Sequence, residues 1–326
     1  MEEEFKEEMK MIVVVNFSSR KDGNCYRISG VIKKHYKAKK VKIFNFYENT
    51  YLSCGHCNYE CFSKRCTLDD NLNEIFKAIV QSEETIFVLP NYLDQPNSNY
   101  FLFNERKCGF FNGSKDLQHR YLNIKKKFIV VSNSANSSFK EALSAHIDEN
   151  AHLDLLFLNS KKFNQDPLAG TLMSDEEAEG IIHDFLDDNY LVEESAMAIV
   201  FYQNMILSMV EEVYNRPTLS LPKGHVEPGE SKIDAAIREC FEETNEVITN
   251  DNYVGELKQF EITFINHFNK LVKKTIYPII FRVSKMGSLV SKEERIRKIK
   301  YLPIGEFLLK CTYDNVKIMI MEATCK

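Results

Sequence analysis

The protein is a chain of 326 residues with a formal net charge of −5; 44% of its residues are hydrophobic, 12% aromatic and 27% charged. This composition excludes an intrinsically disordered chain, and the negative charge gives no general attraction to nucleic acid or to anionic membranes. At roughly 150 residues per domain, the length predicts two domains.

Charged residues dominate the first ten positions, MEEEFKEEMK, which therefore lack the apolar stretch of a signal peptide. No apolar run reaches the roughly 18 residues needed to cross a bilayer. Nine cysteines, an odd number in a long chain, argue against a secreted disulfide framework. The sequence therefore predicts a cytoplasmic protein whose cysteines serve thiol or metal chemistry.

Five short apolar runs follow, and helical patterns alternate with them. Such runs suit a parallel sheet covered on both faces, because neither face then needs polar side chains. The predicted strands are residues 12–17, 41–46, 85–90, 127–132 and 153–158. One helix is predicted between these strands, and a pair of aspartates at 69 and 70 could cap its start. Its apolar residues, at helical spacing, are Leu72, Ile75, Phe76, Ile79 and Val80. The pattern predicts an α/β domain with a doubly wound, five-stranded parallel sheet.

Two polar loops follow strands of this predicted sheet. The first, NFSSRKDGNCYRIS (16–29), places four side chains where backbone amides and a helix start could hold a phosphate, namely Ser18, Arg20, Asn24 and Cys25. The second, LPNYLDQPNSNYFLFNER (89–106), follows the third predicted strand. With these loops, residues 11–187 resemble the NAD(P)H-dependent FMN reductase family of flavodoxin-like proteins.

This resemblance implies a domain that binds FMN, uses NAD(P)H and forms a homodimer. The first loop would hold the FMN phosphate. The residues that would border the isoalloxazine ring are Pro90, Asn91, Tyr92 and the SNSAN loop, which begins at Ser132. Two residues depart from the family: Phe17 stands where a glycine often begins the loop, and Cys25 replaces the usual serine or threonine.

Four cysteines lie within 13 residues of the segment CGHCNYECFSKRC; they are Cys54, Cys57, Cys61 and Cys66. Four thiols on a short loop can bind Zn²⁺ or an iron-sulfur cluster, because soft metals favour thiolates. The spacing CxxCxxxCxxxxC matches no familiar cluster motif, so reduced structural cysteines and redox-active thiols remain alternatives.

The pattern changes after a last amphipathic helix, SDEEAEGIIHDFL (174–186). A short polar linker, DDNYLVEE (187–194), is followed by strands SAMAIVFY and TIYPIIFRV and by a terminal helix near DNVKIMIMEA. This order is α+β rather than alternating. We therefore predict two domains, residues 11–187 and 194–326.

Between those strands, the segment LPKGHVEPGESKIDAAIRECFEETNEV (221–247) holds seven carboxylates between positions 227 and 246. Ser231 and Asp234 predict a helix start. The predicted core stripe consists of Ile233, Ala236, Ile237, Cys240 and Phe241, and the predicted acidic face of Glu239, Glu242, Glu243 and Glu246. An ordinary solvated helix face is one reading. Because no lysine or arginine follows these glutamates at i+4, the other reading is that Mg²⁺ or Mn²⁺ relieves their repulsion.

The same segment resembles the Nudix box, Gx5Ex7REUxEExGU, where U is aliphatic. The matching residues are Gly224, Glu230, Arg238, Glu239, Cys240 in the U position, Glu242 and Glu243. The match departs from the box at Asn245 in place of glycine and at Glu246 in place of an aliphatic residue. Asparagine is the next best residue for a left-handed helix end.

The Nudix resemblance implies an α/β/α sandwich that hydrolyses a nucleoside diphosphate linked to another moiety, for example a dinucleoside polyphosphate. The implied metal ligands are Glu239, Glu242, Glu243 and the carbonyl of Gly224, and the implied salt bridge joins Glu230 to Arg238. Either Glu239 or Glu243 would deprotonate the attacking water. Lys223 could contact a substrate phosphate.

Two other hypotheses follow from the fusion. In one, the flavin domain is an NAD(P)H oxidoreductase and the Nudix domain a nucleotide-binding or regulatory module. In the other, the flavin domain is a degenerate sensor or dimerisation platform for the hydrolase.

Overall fold

The computed structural model describes most of the chain. The described residues are 11–55, 57, 60–62, 66–68, 70–111, 113–133, 138–148, 151, 153–213, 216–291, 294–311 and 313–325. Residues cluster into two compact units, one of which runs up to Tyr190 and includes Phe264–Leu271, while the other comprises Leu191–Thr263 and Val272–Lys326.

The first unit contains the predicted parallel sheet. Its strands are β1 (Met11–Asn16), β2 (Lys40–Asn45), β3 (Glu84–Tyr92), β4 (Gln95–Pro96), β5 (Lys125–Ser132) and β6 (Asp154–Asn159). The order is β2-β1-β3-β5-β6, with every neighbouring pair in that path parallel. The two-residue strand β4 is antiparallel to the end of β3. All five predicted strands are confirmed, each within a few residues of its expected bounds.

Helices of this unit cover both faces of the sheet. They are α1 (Asn24–His35), α2 (Leu72–Gln81), α3 (Ser98–Phe111), α4 (Lys115–Asn123), α5 (Ser138–Ser144) and α6 (Glu176–Leu186). Successive residues of β1 alternate between two cores: Val13 and Val15 pack in one, and Ile12 and Val14 in the other. Because both faces are buried, the strands read as continuous apolar runs.

The predicted cap of α2 lies partly outside the described residues, since position 69 is not among them. Asp70 accepts a hydrogen bond from the Leu72 amide (3.2 Å) and also pairs with the buried Arg106 (2.7 Å). The N-cap itself is Asn71, in the left-handed conformation. The Asp70 carboxylate therefore fastens the start of α2 to α3.

A buried polar pair lies within the aromatic core of the first unit. The Tyr121 hydroxyl and His146 Nδ1 are 2.6 Å apart, and both residues are fully buried. Burial lowers the pKa of His146 well below its usual range, and the nearby Lys107 and Lys126 lower it further. Burial also lowers the pKa of Lys126 to about 7. The folded state therefore keeps His146 neutral.

A second sheet organises the other unit. Its strands are β7 (Leu191–Tyr202), β8 (Met205–Val213), β9 (Arg216–Ser220), β10 (Lys223–His225), β11 (Tyr253–Glu256), β12 (Phe260–Ile265), β13 (Leu271–Arg282) and β14 (Ile296–Pro303). The order is β11-β13-β7-β8-β14, while β10 pairs with β7, β12 with β13 and β9 with β8. The pair β7 and β13 is parallel over eleven residues. This confirms the predicted mixed α/β chain, a parallel sheet followed by a second, different sheet.

Helices also lie on both faces of the second sheet. They are α7 (Lys232–Thr244), α8 (Ile304–Lys310) and α9 (Asp314–Thr324). One core contains apolar residues of α7, and the opposite core contains those of α8 and α9. The linker prediction is wrong at its end, because β7 begins at Leu191 rather than at position 195. Hydrogen bonding to β13 extends β7 into sequence that looks polar.

Among the described residues, no helix combines the length and the apolar composition that crossing a bilayer requires.

The buried imidazole predicts an acid-sensitive first domain. The unfolded chain takes up the His146 proton near pH 6.5, whereas the folded chain does not, so stability present above that pH is lost as the pH falls. We expect the unfolding free energy to fall by roughly 2 kcal/mol between pH 7 and pH 5 from this group. His146→Phe should flatten that slope, at a cost of about 1–3 kcal/mol at pH 7 for the unpaired Tyr121 hydroxyl. Urea unfolding at several pH values measures both, and an equal slope in the two proteins would contradict the assignment.

Candidate active site on the acidic helix

Helix α7 begins and ends as its sequence predicts. The Ser231 Oγ accepts a hydrogen bond from the Asp234 amide (3.1 Å), which satisfies one of the unpaired N–H groups of the first turn. Asn245 has a φ of 59°, in the left-handed region, and its amide donates to the Phe241 carbonyl (2.8 Å). Asparagine therefore ends the helix where the Nudix box has glycine.

The buried face of α7 is rotated from the predicted stripe. Ala236 and Cys240 are buried as expected, but Phe241 is 49% exposed, whereas Glu243 and Glu246 are buried. The helix packs against the sheet through small residues, and the chain after it covers its C-terminal end. The predicted acidic face is therefore not one solvated surface.

Gly224 brings the backbone of β10 directly against the helix. It pairs with Ala196 of β7, and a Cβ atom at this position would lie 1.9 Å from the Glu239 carboxylate carbon. A side chain at position 224 would displace the Glu239 carboxylate from this place. Glu239 and Gly224, two of the predicted metal ligands, are thus neighbours. Gly229 has a φ of +85° and turns the loop before the helix.

Arg238 connects the loop to the helix. Its guanidinium makes two bonds to Glu230, through Nε and Nη2 (both 2.9 Å), and a third to the His225 carbonyl (2.8 Å). Its Nη1 lies 2.7 Å from a Glu239 oxygen and 3.0 Å from a Glu242 oxygen. The hydrogen bonds from Arg238 lower the pKa of Glu230. The structure therefore brings together both residues of the predicted salt bridge and two of the predicted metal ligands.

These contacts correct one sequence inference. Repulsion between the glutamates is not left to a metal ion alone, because Arg238 lies one residue before Glu239 and four before Glu242. The sequence inference considered only cations four residues after each glutamate. A cation four residues before a glutamate lies on the same face of the helix and can pair with it.

Glu243 is held by protein groups that come from distant segments. Its side chain is 0% exposed and forms an ion pair with Arg295, while its other oxygen accepts a hydrogen bond from the Lys223 amide (2.8 Å). Arg295 also contacts Glu211 (3.0 Å), and the Lys223 ammonium contacts the second oxygen of Glu211 (3.0 Å). Burial raises the pKa of Glu211, but the two cations more than offset this and hold it below its usual value. Lys223, the predicted phosphate contact, is thus an ion-pair partner here.

Glu246 has a structural role that the Nudix motif does not indicate. Both its oxygens accept hydrogen bonds from the Gly287 amide (3.2 and 3.0 Å), and one accepts from the Tyr301 hydroxyl (3.0 Å). A carboxylate so satisfied can replace the aliphatic residue of the box in a buried position. The Tyr301 hydroxyl is occupied by this contact.

Sequence reasoning missed Glu211, Arg295 and Gly287. Glu211 was detectable, because Leu207, Met209 and Glu211 fall on one face of β8 and the first two are buried. A charge on an apolar strand face indicates a buried partner. No local signal identifies Arg295 or Gly287.

The donor set of this site suits a hard dication. Glu239 and Glu242 supply carboxylate oxygens on one side of Arg238, and Glu239 lies against the Gly224 backbone. No three His, Cys, Asp or Glu side chains in the described part of the chain are grouped as a ready metal site. The residues fit Mg²⁺ or Mn²⁺ because they offer carboxylate oxygens that lie close together. In this structure Arg238 bridges the Glu239 and Glu242 carboxylates.

The predicted FMN loop of the first unit is bonded to its own chain. Arg20 donates to the Leu168 carbonyl (2.7 Å), and Asn24 donates to the Pro167 carbonyl (3.1 Å). Ser18 is buried and accepts from the Arg20 amide (3.1 Å), and burial raises the pKa of Cys25 to about 12. The Arg20 Nη1 and the Asn24 side-chain amide are therefore bonded within the chain.

The second half of the predicted FMN site is at the adjacent strand ends. Asn91 donates to the Ser132 hydroxyl (2.8 Å), Pro90 pairs in register with Val131, and Tyr92 is 50% exposed. The remainder of the SNSAN loop, residues 134–136, lies outside the described residues. Phe17, the departure from glycine, is fully buried among aromatic rings.

The four clustered cysteines line a cavity of about 260 Å³, together with Glu105 and Arg106. All four are free thiols: Cys54, Cys57, Cys61 and Cys66. Burial raises the pKa of Cys54 and Cys61, and neighbouring thiols raise it further. Within the described residues, no group of three or more His, Cys, Asp or Glu side chains that could hold a metal ion is found.

Comparisons with known proteins assign the C-terminal domain. Residues 193–321 match the family model described as NUDIX domain, and this part of the chain is a Nudix domain. A search of curated proteins finds no significant match.

Solved structures similar to this chain have low identity and low TM-scores. An Ap4A hydrolase of C. elegans is 17% identical, with 41% of this chain and 96% of that chain covered at a TM-score of 0.32. A NUDIX hydrolase from Nitrosomonas europaea is 20% identical, covering 41% and 88% at 0.32. The NUDIX domain of Shewanella oneidensis NrtR, complexed with ADP ribose, is 14% identical, covering 42% and 89% at 0.34.

The Arg238 contacts predict that this arginine stabilises the domain through its forked geometry. Arg238→Lys keeps the charge but cannot bond both Glu230 oxygens and the His225 carbonyl, so we expect a loss of about 1–2 kcal/mol in unfolding free energy. Chemical denaturation checks this. Arg27→Lys, the same change at an exposed position of α1, is the control and should be nearly neutral. Equal losses in both variants would show that the fork is not what stabilises the site.

Proposed function

We propose that the Nudix domain hydrolyses the diphosphate linkage of a nucleoside diphosphate derivative with Mg²⁺ or Mn²⁺. The observation that carries the proposal is the cluster around Arg238, in which Glu239 and Glu242 share one guanidinium nitrogen beside the Gly224 backbone. The ion pair with Glu230 fixes the Arg238 guanidinium, which in turn holds the Glu239 and Glu242 carboxylates beside the loop that precedes α7.

The side chains divide the work as follows. Glu239, Glu242, Glu243 and the Gly224 carbonyl would hold the dication, which when bound neutralises the diphosphate and lowers the pKa of a water molecule. Water attacks one phosphorus atom, the bridging oxygen leaves with the other phosphate, and a glutamate accepts the water proton. Glu239 suits that last role better than Glu243, because Glu243 is fully buried and both its oxygens are bonded.

Charged and aromatic groups beside Gly224 support a nucleotide substrate. His225 and Lys274 contact Glu193 (both 3.0 Å), and the Lys232 ammonium lies 3.3 Å from the centre of the Tyr277 ring. Cations near the site attract phosphates, and a half-buried ring can stack on a base. A dinucleoside polyphosphate is our first candidate, as the sequence resemblance implies. A screen of dinucleoside polyphosphates, ADP-ribose, NADH and FAD with Mg²⁺ identifies the substrate.

Glu239→Gln tests the mechanism. The amide can still accept from Arg238 but cannot take a proton at neutral pH, so turnover should fall by roughly 10²-fold or more while thermal stability stays near normal. Release of nucleoside monophosphate in the presence of Mg²⁺ is the measurement. Glu322→Gln, on the exposed side of α9, is the charge-matched control and should be fully active. Near-normal turnover of Glu239→Gln would remove Glu239 from the mechanism.

A second candidate function is a flavin-dependent NAD(P)H oxidoreductase in the first domain, with the Nudix domain in a regulatory role. The strand order favours it, since β2-β1-β3-β5-β6 is the order of flavodoxin-like sheets. The bonded side chains of Arg20 and Asn24 and the buried Cys25 disfavour it. They favour instead a flavodoxin-like domain that has lost its phosphate contacts and serves as a sensor or dimerisation platform.

A visible absorption spectrum and an FMN titration distinguish these roles. We expect a colourless protein that shows neither flavin nor iron-sulfur absorbance and that quenches added FMN fluorescence only weakly, with a dissociation constant above about 10 μM. A yellow protein, or micromolar or tighter FMN binding, would favour the oxidoreductase. A brown protein with iron would show that the four clustered cysteines bind a cluster. Light scattering of the same sample reports whether the chain is a homodimer.

A further inference from the structure

Arg295 holds the most deeply buried carboxylate of the acidic helix. Glu243 is 0% exposed, and its carboxylate forms an ion pair with Arg295. The Lys223 amide, at 2.8 Å, contributes a dipole but no full charge. A buried carboxylate without a countercharge is strongly unfavourable, so a cation must accompany Glu243.

The guanidinium of Arg295 bridges two carboxylates. Its Nη2 contacts Glu243, and its Nη1 lies 3.0 Å from Glu211, which is itself buried. Glu211 is also paired with the Lys223 ammonium at 3.0 Å. Two cations and two carboxylates therefore alternate in one short chain of ion pairs.

The two partners differ in their exposure to solvent. The Arg295 side chain is 47% exposed, whereas Glu243 has no solvent contact. The Arg295 backbone is fixed, because its carbonyl accepts a hydrogen bond from the Glu212 amide of β8 (2.9 Å). Solvent therefore reaches the guanidinium but not the Glu243 carboxylate, and a change in the side-chain torsion angles of Arg295 would separate the two.

We propose that Arg295 is a positioning residue that holds Glu243 in the metal-free protein and yields this carboxylate when a divalent cation binds. The inference rests on the proposed function, in which Glu243 is a metal ligand. A guanidinium and a dication cannot both contact one buried carboxylate oxygen, because like charges at that separation repel strongly. Arg295 thereby keeps the acidic helix folded without metal and competes with the metal for Glu243.

Mn²⁺ binding without nucleotide tests the competition. Arg295→Gln removes the competing charge, and we expect Mn²⁺ to bind about fivefold more tightly than to the unaltered protein by calorimetry. The metal-free variant should melt several degrees lower, and Mn²⁺ should raise its melting temperature by more than it raises that of the unaltered protein. Arg295→Lys, which keeps the charge, should bind Mn²⁺ like the unaltered protein.

Two further variants separate competition from a general structural effect. In Glu211→Gln, Lys223 and Arg295 lose the carboxylate that they share, and both cations remain available to Glu243. Mn²⁺ binding should therefore weaken, whereas Arg295→Gln should strengthen it. Lys310→Gln removes a positive charge from an exposed pair with Glu306 in the same domain and should leave Mn²⁺ affinity unchanged.

The outcomes distinguish this inference from the proposed function. If the unaltered protein binds Mn²⁺ and hydrolyses nucleotides, but Arg295→Gln binds Mn²⁺ with equal or lower affinity, Arg295 does not compete and only this inference is overturned. If the unaltered protein binds no Mn²⁺ and hydrolyses no nucleotide, both proposals are overturned.

Discussion

The C-terminal domain depends on how the carboxylates of helix α7 are balanced. Glu230, Glu239 and Glu242 share Arg238, and Glu243 pairs with Arg295. Glu246 instead uses neutral donors. The carboxylates therefore fall into three groups: those that share Arg238, Glu243 with Arg295, and Glu246 with neutral donors. Glu239, Glu242 and the buried Glu243 are the carboxylates proposed to bind the cation. Glu230 and Glu246 fasten the helix to the preceding loop and to segments remote in sequence.

This division explains why one short helix can serve both structure and chemistry. A helix made only of solvated glutamates would be destabilised by repulsion between successive turns. A helix with every glutamate buried and paired would offer nothing to a substrate. Gly224 resolves the conflict, because its missing side chain lets the Glu239 carboxylate approach the backbone of β10. The loop, rather than the helix alone, creates the proposed site.

In the first domain, a sheet with a familiar strand order carries a polar loop whose side chains are bonded within the chain. Its sheet has the strand order on which loops at the carboxyl ends commonly bind cofactors. The Arg20 and Asn24 side chains of the first loop are nevertheless bonded to residues 167 and 168. A polar loop at a strand end is available to a ligand only if the chain itself does not satisfy it.

The sequence by itself determined what depends on short-range periodicity and spacing. The five parallel strands appear in the sequence as apolar runs, and the start and end of α7 follow from Ser231 and Asn245. The spacing from Glu230, in the loop, to Arg238, about two turns into the helix, predicts their salt bridge. Only the tertiary structure decided which glutamates are buried and which cations they meet. Arg295, Gly287 and Tyr301 lie more than 40 positions from their partners. Pairings over such separations depend on strand register and packing, and a helical period carries no information about them.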